Sequence, residues 1–295
     1  MKKIIIVLII VAVGIGIYFI TKKGATTEVI NTDTETPSNQ VATSTTDNAP
    51  ESVIGKSVEG RDIVAYHFGT GETELLFVGG IHGGYEWNTS LVAFQLVDYL
   101  EANPAVVPSN VKVTVIPVMN PDGLFRVAGK AGRFSPSDVP SVLSDTVRGR
   151  FNANEVDLNR NFDCDWKQNA TWQRNTVSGG TKAFSEPESL AIKNYVDAKK
   201  PTAVVVWYSS AGGVFASNCH NGVLAETNAI MKAYSDASGY KSYPEFNFYE
   251  VTGDMVNWLA KINVPAISVL LTNHTDTEWT KNQKGVDALL KYYAR

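Results

Sequence analysis

The chain has 295 residues, and its 26 Lys and Arg against 30 Asp and Glu give a formal net charge of −4. This balance, together with the lack of a basic tract, excludes a nucleic-acid-binding protein that relies on phosphate contacts. Two cysteines are too few for a disulfide-rich scaffold or a four-cysteine zinc site. A hydrophobic content of 44% excludes a chain that is disordered throughout.

Residues 1–23 have the pattern of a membrane anchor. An uncharged apolar run extends from Ile4 to Ile20 and has two lysines on each side. As a helix it would be about 25 Å long, which spans a thin bilayer when the flanking lysines snorkel. The run is long for a signal-peptide core, and no small-residue cleavage pattern precedes Lys22. We therefore expect an uncleaved signal-anchor, with a cleaved signal peptide as the alternative.

Residues 24–50 have the composition of a flexible linker. They contain eight Thr, two Ser, two Pro and four acidic residues, and no basic residue. Such a segment cannot bury enough apolar surface to fold. We expect it to hold the C-terminal domain away from the membrane, on the extracytoplasmic side, because N-terminal anchors of this form usually export the domain attached to them.

Residues 51–295 are predicted to form one α/β domain. A hairpin is predicted over Ile54–Phe68, with a turn at Glu59 and Gly60. Aliphatic runs predict strands at Glu74–Val78, Val111–Val118, Ala203–Trp207 and Ala266–Leu271. Helices are predicted at Asn88–Ala102, Glu186–Lys199, Ala225–Ser238, Gly253–Lys261 and Lys281–Tyr293. Strands that are apolar on both faces favour a mixed, mostly parallel central sheet flanked by helices on both faces, with the site at the strand carboxyl ends.

Residues that carry chemistry follow the predicted strands in a distinctive order. His82 and Glu86 lie in a glycine-rich segment just after the first of these strands, a position that suits two metal ligands. Asn-Pro-Asp-Gly follows at residues 120–123, where we expect a turn, Val-Asp-Leu-Asn-Arg-Asn-Phe-Asp at 156–163, and Phe-Tyr-Glu-Val-Thr-Gly at 248–253. In this order the motifs resemble the zinc carboxypeptidases of the carboxypeptidase A/B type, over nearly the whole domain.

The resemblance implies a peptidase that removes the C-terminal residue of a peptide. It implies one Zn²⁺, held by His82, by Glu86 and by a second histidine far downstream, with a separate glutamate as general base. Three protein ligands leave a position open for water, whose pKa the zinc ion lowers to near 7. The base then collects the proton from that water.

The resemblance also assigns substrate contacts. Asn159 and Arg160 match the pair that holds the C-terminal carboxylate, for which a planar guanidinium has bidentate geometry. Arg150 matches the arginine that polarises the scissile carbonyl, with Arg148 as a weaker alternative. Tyr249 matches the tyrosine that closes over the substrate.

The catalytic positions depart from the family pattern in three places. Three residues separate His82 from Glu86, where the family has two, although the intervening glycines could absorb the insertion as a bulge. Ser209 stands where the second histidine ligand is expected, and a neutral hydroxyl is a poor zinc ligand. Leu270 stands at the general-base position, and the loss of positioned proton transfer typically costs about 10²–10⁴ in rate.

These departures leave three hypotheses open. The first is an active metallocarboxypeptidase, or a peptidoglycan-peptide trimmer, with an altered zinc site. The second is a pseudopeptidase that binds peptide C-termini without cutting them. The third is a different hydrolase on the same scaffold, with new ligands. His220 and His274 are the candidates for a replacement ligand or base.

Three further residues bear on specificity and redox state. Asp254 follows Tyr249 in the segment that lines the side-chain pocket in the family, and an acid there would favour a basic or diaminopimelate-like terminal residue. Cys164 and Cys219 both lie near the predicted pocket. If the domain is exported we expect them to form a disulfide, because oxidising compartments favour one. A cysteine nucleophile is the competing hypothesis, but no motif supports it.

Overall fold

The computed structural model describes residues 50–294. The predicted anchor at residues 1–23 and the linker up to residue 49 lie outside this range. Among residues 50–294, no helix has the length and apolar character needed to cross a membrane.

Ten strands and seven α-helices form this part of the chain. The strands are β1 (Glu51–Lys56), β2 (Asp62–Phe68), β3 (Thr73–Val78), β4 (Val111–Ile116), β5 (Asn169–Trp172), β6 (Asn175–Ser178), β7 (Ala203–Ser209), β8 (Gly213–Ala216), β9 (Lys241–Tyr243) and β10 (Ala266–Leu271). The helices are α1 (Trp87–Ala102), α2 (Pro121–Ala128), α3 (Leu143–Thr146), α4 (Pro187–Lys199), α5 (Ala225–Ser238), α6 (Met255–Lys261) and α7 (Trp279–Tyr293).

Eight of the strands form one mixed sheet in the order β1-β2-β4-β3-β7-β10-β8-β9. The four central strands β4, β3, β7 and β10 are parallel to one another, whereas β1, β2 and β8 pair antiparallel with their neighbours towards the centre. Strands β5 and β6 form a separate hairpin. The predicted α/β fold with a mixed central sheet is confirmed.

Helices cover both faces of the sheet. On one face α1, α5 and α7 pack through Leu96, Tyr234 and Leu289 against strand residues such as Trp207. On the other face α4 and α6 pack against residues such as Val206. Because the central strands bury side chains on both faces, they consist of the aliphatic runs seen in the sequence.

Some elements differ from the prediction. Residues 120–123, expected to form a turn, instead begin α2, where the Asn120 side chain caps the helix by accepting a hydrogen bond from the Gly123 N–H at 2.8 Å. Strand β7 continues two residues beyond the predicted end at Trp207. The hairpin β5–β6 and the short strands β8 and β9 were not predicted.

Candidate functional site

A pocket opens where the parallel strands β3, β7 and β10 end. Every residue predicted from the sequence to bind metal or substrate, or to occupy a catalytic position, lines it: His82, Glu86, Arg150, Asn159, Arg160, Ser209, Tyr249, Asp254 and Leu270. His274 lines the same pocket, but Arg148 and His220 are not among its lining residues. The structure therefore brings together positions that are far apart in the chain.

The insertion between His82 and Glu86 is absorbed by a tight turn. Gly83 adopts a φ of +43°, and a Cβ there would lie 2.7 Å from the Gly149 carbonyl oxygen. Only glycine fits such a position. The turn brings Glu86, which directly precedes α1, beside His82, with Oε1 2.9 Å from Nδ1. The extra residue therefore does not separate the two side chains.

Both ring nitrogens of His82 are buried next to carboxylates. Nδ1 lies 2.9 Å from Glu86 Oε1 and Nε2 lies 3.4 Å from Asp157 Oδ1, yet neither nitrogen has a hydrogen-bond partner among the described residues. Two ligands of one tetrahedral zinc ion lie about 3.3 Å apart. Burial acts to raise the pKa of Glu86, but His82 and then Arg150 and the Ser209 N–H hold it below the ordinary value. Glu86 is therefore a buried carboxylate suited to a cation.

Asp157 connects this pair to Arg150 and was not predicted as a site residue. Arg150 Nε donates to Asp157 Oδ2 at 2.9 Å, its Nη2 lies 2.8 Å from the same oxygen in an ion pair, and its Nη1 lies 3.5 Å from Glu86 Oε1. Burial acts to raise the pKa of Asp157, but the charges of Arg150 and Arg160 hold it well below its usual range. The first acid of the Asp-Leu-Asn-Arg-Asn motif was the available signal for this role.

The predicted third metal position is occupied by Ser209, whose polar atoms already have partners. Its N–H donates to Glu86 Oε2 at 2.9 Å, and its hydroxyl lies 3.1 Å from both Asn88 Oδ1 and His274 Nδ1. The β7 side chain that packs beside His82 is that of Tyr208, with ring centroids 5.8 Å apart. Burial raises the pKa of Tyr208 well above its ordinary value, so its phenol stays protonated.

This donor set does not form the zinc site that the resemblance implies. Among residues 50–294, no three His, Cys, Asp or Glu side chains are placed to hold a metal ion together. His82 and Glu86 have the chemistry and the spacing of two zinc ligands, but a catalytic zinc site has three protein ligands. Neither the Ser209 hydroxyl nor the protonated Tyr208 phenol is a suitable third ligand.

The two candidate replacement histidines occupy very different places. His220 is exposed, and its Nε2 lies 2.7 Å from Asp165 Oδ1. His274 lies on the loop after β10, with its ring 4.8 Å from that of Tyr85, and burial lowers its pKa, so it is neutral near pH 7. Leu270 has a buried side chain that cannot accept a proton. His274 is thus the histidine outside the zinc-ligand positions that reaches the pocket.

The predicted carboxylate-binding pair has hydrogen-bond donors to spare. Arg160 uses Nε for the Thr171 carbonyl oxygen at 2.9 Å and Nη1 for that of Asn159 at 2.5 Å. Asn159 Oδ1 accepts the Met255 N–H at 3.1 Å and the Tyr208 hydroxyl at 3.2 Å. These contacts fix the orientation of the amide. The hydrogen bonds of these two side chains within residues 50–294 do not use Arg160 Nη2 or Asn159 Nδ2.

Asp254 is a second buried group without a full set of partners. Its Oδ2 caps α6 through the Asn257 N–H at 3.4 Å, whereas its Oδ1 is buried and has no hydrogen-bond partner within the described chain. Burial raises its pKa to about 6, against the opposing charge of Arg160. At the rim, Tyr249 is partly exposed and packs its ring 5.1 Å from that of Phe246.

A disulfide fastens the segment that follows the Asn-Arg motif. The Sγ atoms of Cys164 and Cys219 are 2.17 Å apart, and their Cα atoms are 6.1 Å apart. No cysteine within residues 50–294 is free. In this oxidised form neither residue can act as a nucleophile.

The positions of these residues can be compared with known proteins. The model of the zinc carboxypeptidase family matches residues 38–283. The chain belongs to the zinc carboxypeptidase family. It is 30% identical over 195 residues to the human carboxypeptidase N catalytic chain. The aligned region covers 61% of this chain and 39% of that relative. It is also 28% identical over 184 residues to rat carboxypeptidase Z. That alignment covers 58% of this chain and 26% of the relative.

Solved structures show the same fold. The murein-tripeptide amidase of Escherichia coli O157 superposes with a TM-score of 0.58 at 21% identity, over 83% of this chain and 93% of that one. Bovine thrombin-activatable fibrinolysis inhibitor, solved in complex with tick carboxypeptidase inhibitor, superposes with a TM-score of 0.63 at 16% identity. This superposition covers 83% of this chain and 88% of that one. The matched region covers less than half of each of these two curated relatives. Their activities are therefore only proposals for this protein.

Proposed function

We propose that this protein binds the C-terminal carboxylate of a peptide. The observation that carries the proposal is the pair of free donors, Arg160 Nη2 and Asn159 Nδ2, on adjacent residues that both line the pocket. Arg160 is only 1% exposed, so its charge is shielded from water and its hydrogen bonds to a carboxylate would be strong. Contacts to Thr171 and Met255 hold the two side chains in place before a ligand arrives.

The side chain of the terminal residue is proposed to be basic or diaminopimelate-like. The buried, unpartnered Oδ1 of Asp254 would accept a hydrogen bond from an amine. The fold neighbour from Escherichia coli is by name a murein-tripeptide amidase, which supports a cell-wall peptide as one such ligand.

The decisive measurement is the affinity for matched peptides. We expect the wild type to bind a tripeptide ending in lysine about 10–100-fold more tightly than its C-terminal amide, because a charge-assisted hydrogen bond contributes about 1.5–3 kcal/mol. Arg160→Gln should remove this preference, and Arg126→Gln, at a partly exposed residue that pairs with Glu155 and does not line the pocket, should keep it. Equal affinity of the wild type for acid and amide would refute the proposal, whether or not the variant folds.

Hydrolysis of the terminal peptide bond is the second candidate function. The observation in its favour is the 2.9 Å approach of His82 Nδ1 to Glu86 Oε1, the arrangement of two ligands for one ion. A zinc ion at this place would have His82 and Glu86 as its protein ligands, one fewer than a catalytic zinc site has. Counting zinc per chain after dialysis, in the wild type and in His82→Ala, tests this. One zinc that the variant loses supports a peptidase, and no zinc in either favours a pseudopeptidase.

The location of the domain is also a proposal. The apolar run Ile4–Ile20 supports an anchor, and the Cys164–Cys219 disulfide suits an oxidising compartment outside the cytosol. Membrane fractionation with protease protection tests both parts. Digestion of the domain by external protease in intact cells, with the chain in the membrane fraction, is the expected result.

A further inference from the structure

The loop that carries His274 is tied to the start of α1 by one side chain. Asn88, two residues after Glu86, donates both amide protons to this loop, to the carbonyl oxygens of Asn273 at 2.8 Å and Asp276 at 2.9 Å. Asn88 is completely buried. Because both N–H groups are used in this way, the orientation of the amide is fixed, and Oδ1 faces away from the loop backbone.

This orientation determines the proton positions in a short chain of hydrogen bonds. Asn88 Oδ1 can only accept, so the Ser209 hydroxyl, 3.1 Å away, must donate to it. A hydroxyl has a single proton. Ser209 Oγ must therefore accept from its other neighbour, His274 Nδ1, which lies 3.1 Å away. Nδ1 of His274 then carries a proton.

A neutral imidazole has one protonated and one unprotonated nitrogen. With the proton on Nδ1, the lone pair of His274 lies on Nε2. The exposed Ser210 hydroxyl lies 3.4 Å from Nε2 and can donate to it, and both residues line the pocket. The protein thus presents a proton acceptor on the loop that directly follows β10, the strand whose Leu270 cannot accept a proton.

We propose that His274 is the catalytic base of this protein, with Asn88 and Ser209 as the positioning residues that select its tautomer. The inference rests on the proposed binding of a peptide C-terminus at Arg160. His274 Nε2 takes one proton from a water molecule as the water oxygen bonds to the scissile carbonyl carbon. When the C–N bond breaks, the imidazolium returns that proton to the leaving amine. Water is the only co-reactant, and the products are a shortened peptide and a free amino acid.

The tautomer can be measured on the full-length chain without any peptide. The protein has only four histidines, so ¹⁵N-labelled imidazoles give a simple spectrum that His→Gln variants assign. We expect His274 to be protonated on Nδ1 and not on Nε2. Ser209→Ala should release this tautomer and Ser209→Thr, which keeps the hydroxyl, should retain it. A wild-type His274 protonated on Nε2 alone would overturn the inference.

Turnover is measured on N-acyl tripeptides ending in lysine, leucine or diaminopimelate. We expect His274→Ala to lower kcat about 100-fold or more, with KM changed by less than about threefold. His220→Ala, at an exposed histidine away from the pocket, should match the wild type. Unchanged kcat in His274→Ala contradicts the inference. Peptide binding by the wild type with no turnover of any of the three also contradicts it, yet leaves the proposed binding function standing.

Discussion

Arg150 and Asp157 form a buried ion pair in which the arginine Nε donates to Asp157 Oδ2 at 2.9 Å and Nη2 lies 2.8 Å from the same oxygen. Arg150 also lies over the ring of Trp172, 4.3 Å from its centroid. Asp157 lies at the start of the Asn-Arg motif and 3.4 Å from His82 Nε2, so the pair connects the predicted substrate-binding positions to the predicted zinc-ligand positions.

Removal of one partner of this pair should destabilise the whole domain. Asp157→Asn removes the nearer of the two carboxylates beside the buried Arg150 guanidinium and leaves only Glu86, at 3.5 Å; breaking a buried pair costs about 3–5 kcal/mol in comparable cases. Urea denaturation measures the free energy of unfolding. Asp163→Asn is the matched control, because its partner Lys261 and Asp163 itself are about half exposed, and it should cost less than about 1 kcal/mol. Equal effects of the two variants would show that the buried pair contributes no more than a surface one.

Stability should depend on pH through Asp254. Its pKa is raised to about 6 in the folded protein because the carboxyl group is buried, whereas the ordinary value is 3.8. Asp254 thus binds a proton more tightly in the folded state than in the unfolded state. The free energy of unfolding therefore decreases as the pH rises from about 4 to 6. We expect Asp254→Asn, which can still cap α6, to be more stable than the wild type at pH 7.5 by up to about 3 kcal/mol.

The comparison of Asp254→Asn with the wild type is made by denaturation at several pH values. The gain should shrink below pH 6 and vanish near pH 4. A constant difference across this range would show that the carboxyl group is not titrating in the folded protein.

Replacement of Gly83, in the turn between His82 and Glu86, by any residue with a side chain should destabilise the protein. A Cβ there would meet the backbone of Gly149 and Gly123 at 2.7–2.8 Å, in addition to the strain of a φ of +43°. Gly129 has a φ of +65° and no atom within 4 Å of the added Cβ. We expect Gly129→Ala to cost about 1–2 kcal/mol from backbone strain alone, and Gly83→Ala at least about 3 kcal/mol. Equal losses in denaturation experiments would mean that the turn can relax.

Reduction of the disulfide should lower stability substantially. Cys164 and Cys219 are 55 residues apart, and the loop-closure entropy for such a length corresponds to about 4 kcal/mol. We expect a double Cys→Ser variant to unfold at a lower urea concentration than the wild type, and a reductant to lower the wild type towards it. The variant itself should not respond to reductant. A wild type that is insensitive to reduction would contradict this expectation.

The central strands of the sheet and most of the pocket-lining residues that were named could be predicted from the sequence, because short local patterns mark both. The aliphatic runs mark the central strands, and the Asn-Arg motif marks the residues that we propose bind a carboxylate. The role of Asp157 could not be predicted in this way, since its contact with His82 joins segments more than seventy residues apart. Asn120 and Pro121 are common both in turns and at helix starts, which explains why α2 was not expected.

The third ligand position shows how a small error in a strand end matters. The predicted strand stopped at Trp207, whereas β7 continues to Ser209. Successive strand residues point to opposite faces of a sheet, so a shift of one residue exchanges the side chain that faces His82. In the structure that side chain is Tyr208, and Ser209 instead faces Asn88.

Leu270 and Tyr208 are registered partners on the adjacent parallel strands β10 and β7. Their side chains therefore share one face of the sheet and both line the pocket beside His82. An imidazole at 208 and a carboxylate at 270 would stand next to each other on a rigid scaffold that already holds His82 and Glu86. Two substitutions, Tyr208→His and Leu270→Glu, would then place an imidazole and a carboxylate beside His82 and Glu86. The register of β7 and β10 therefore determines which pair of sheet side chains faces His82 and Glu86.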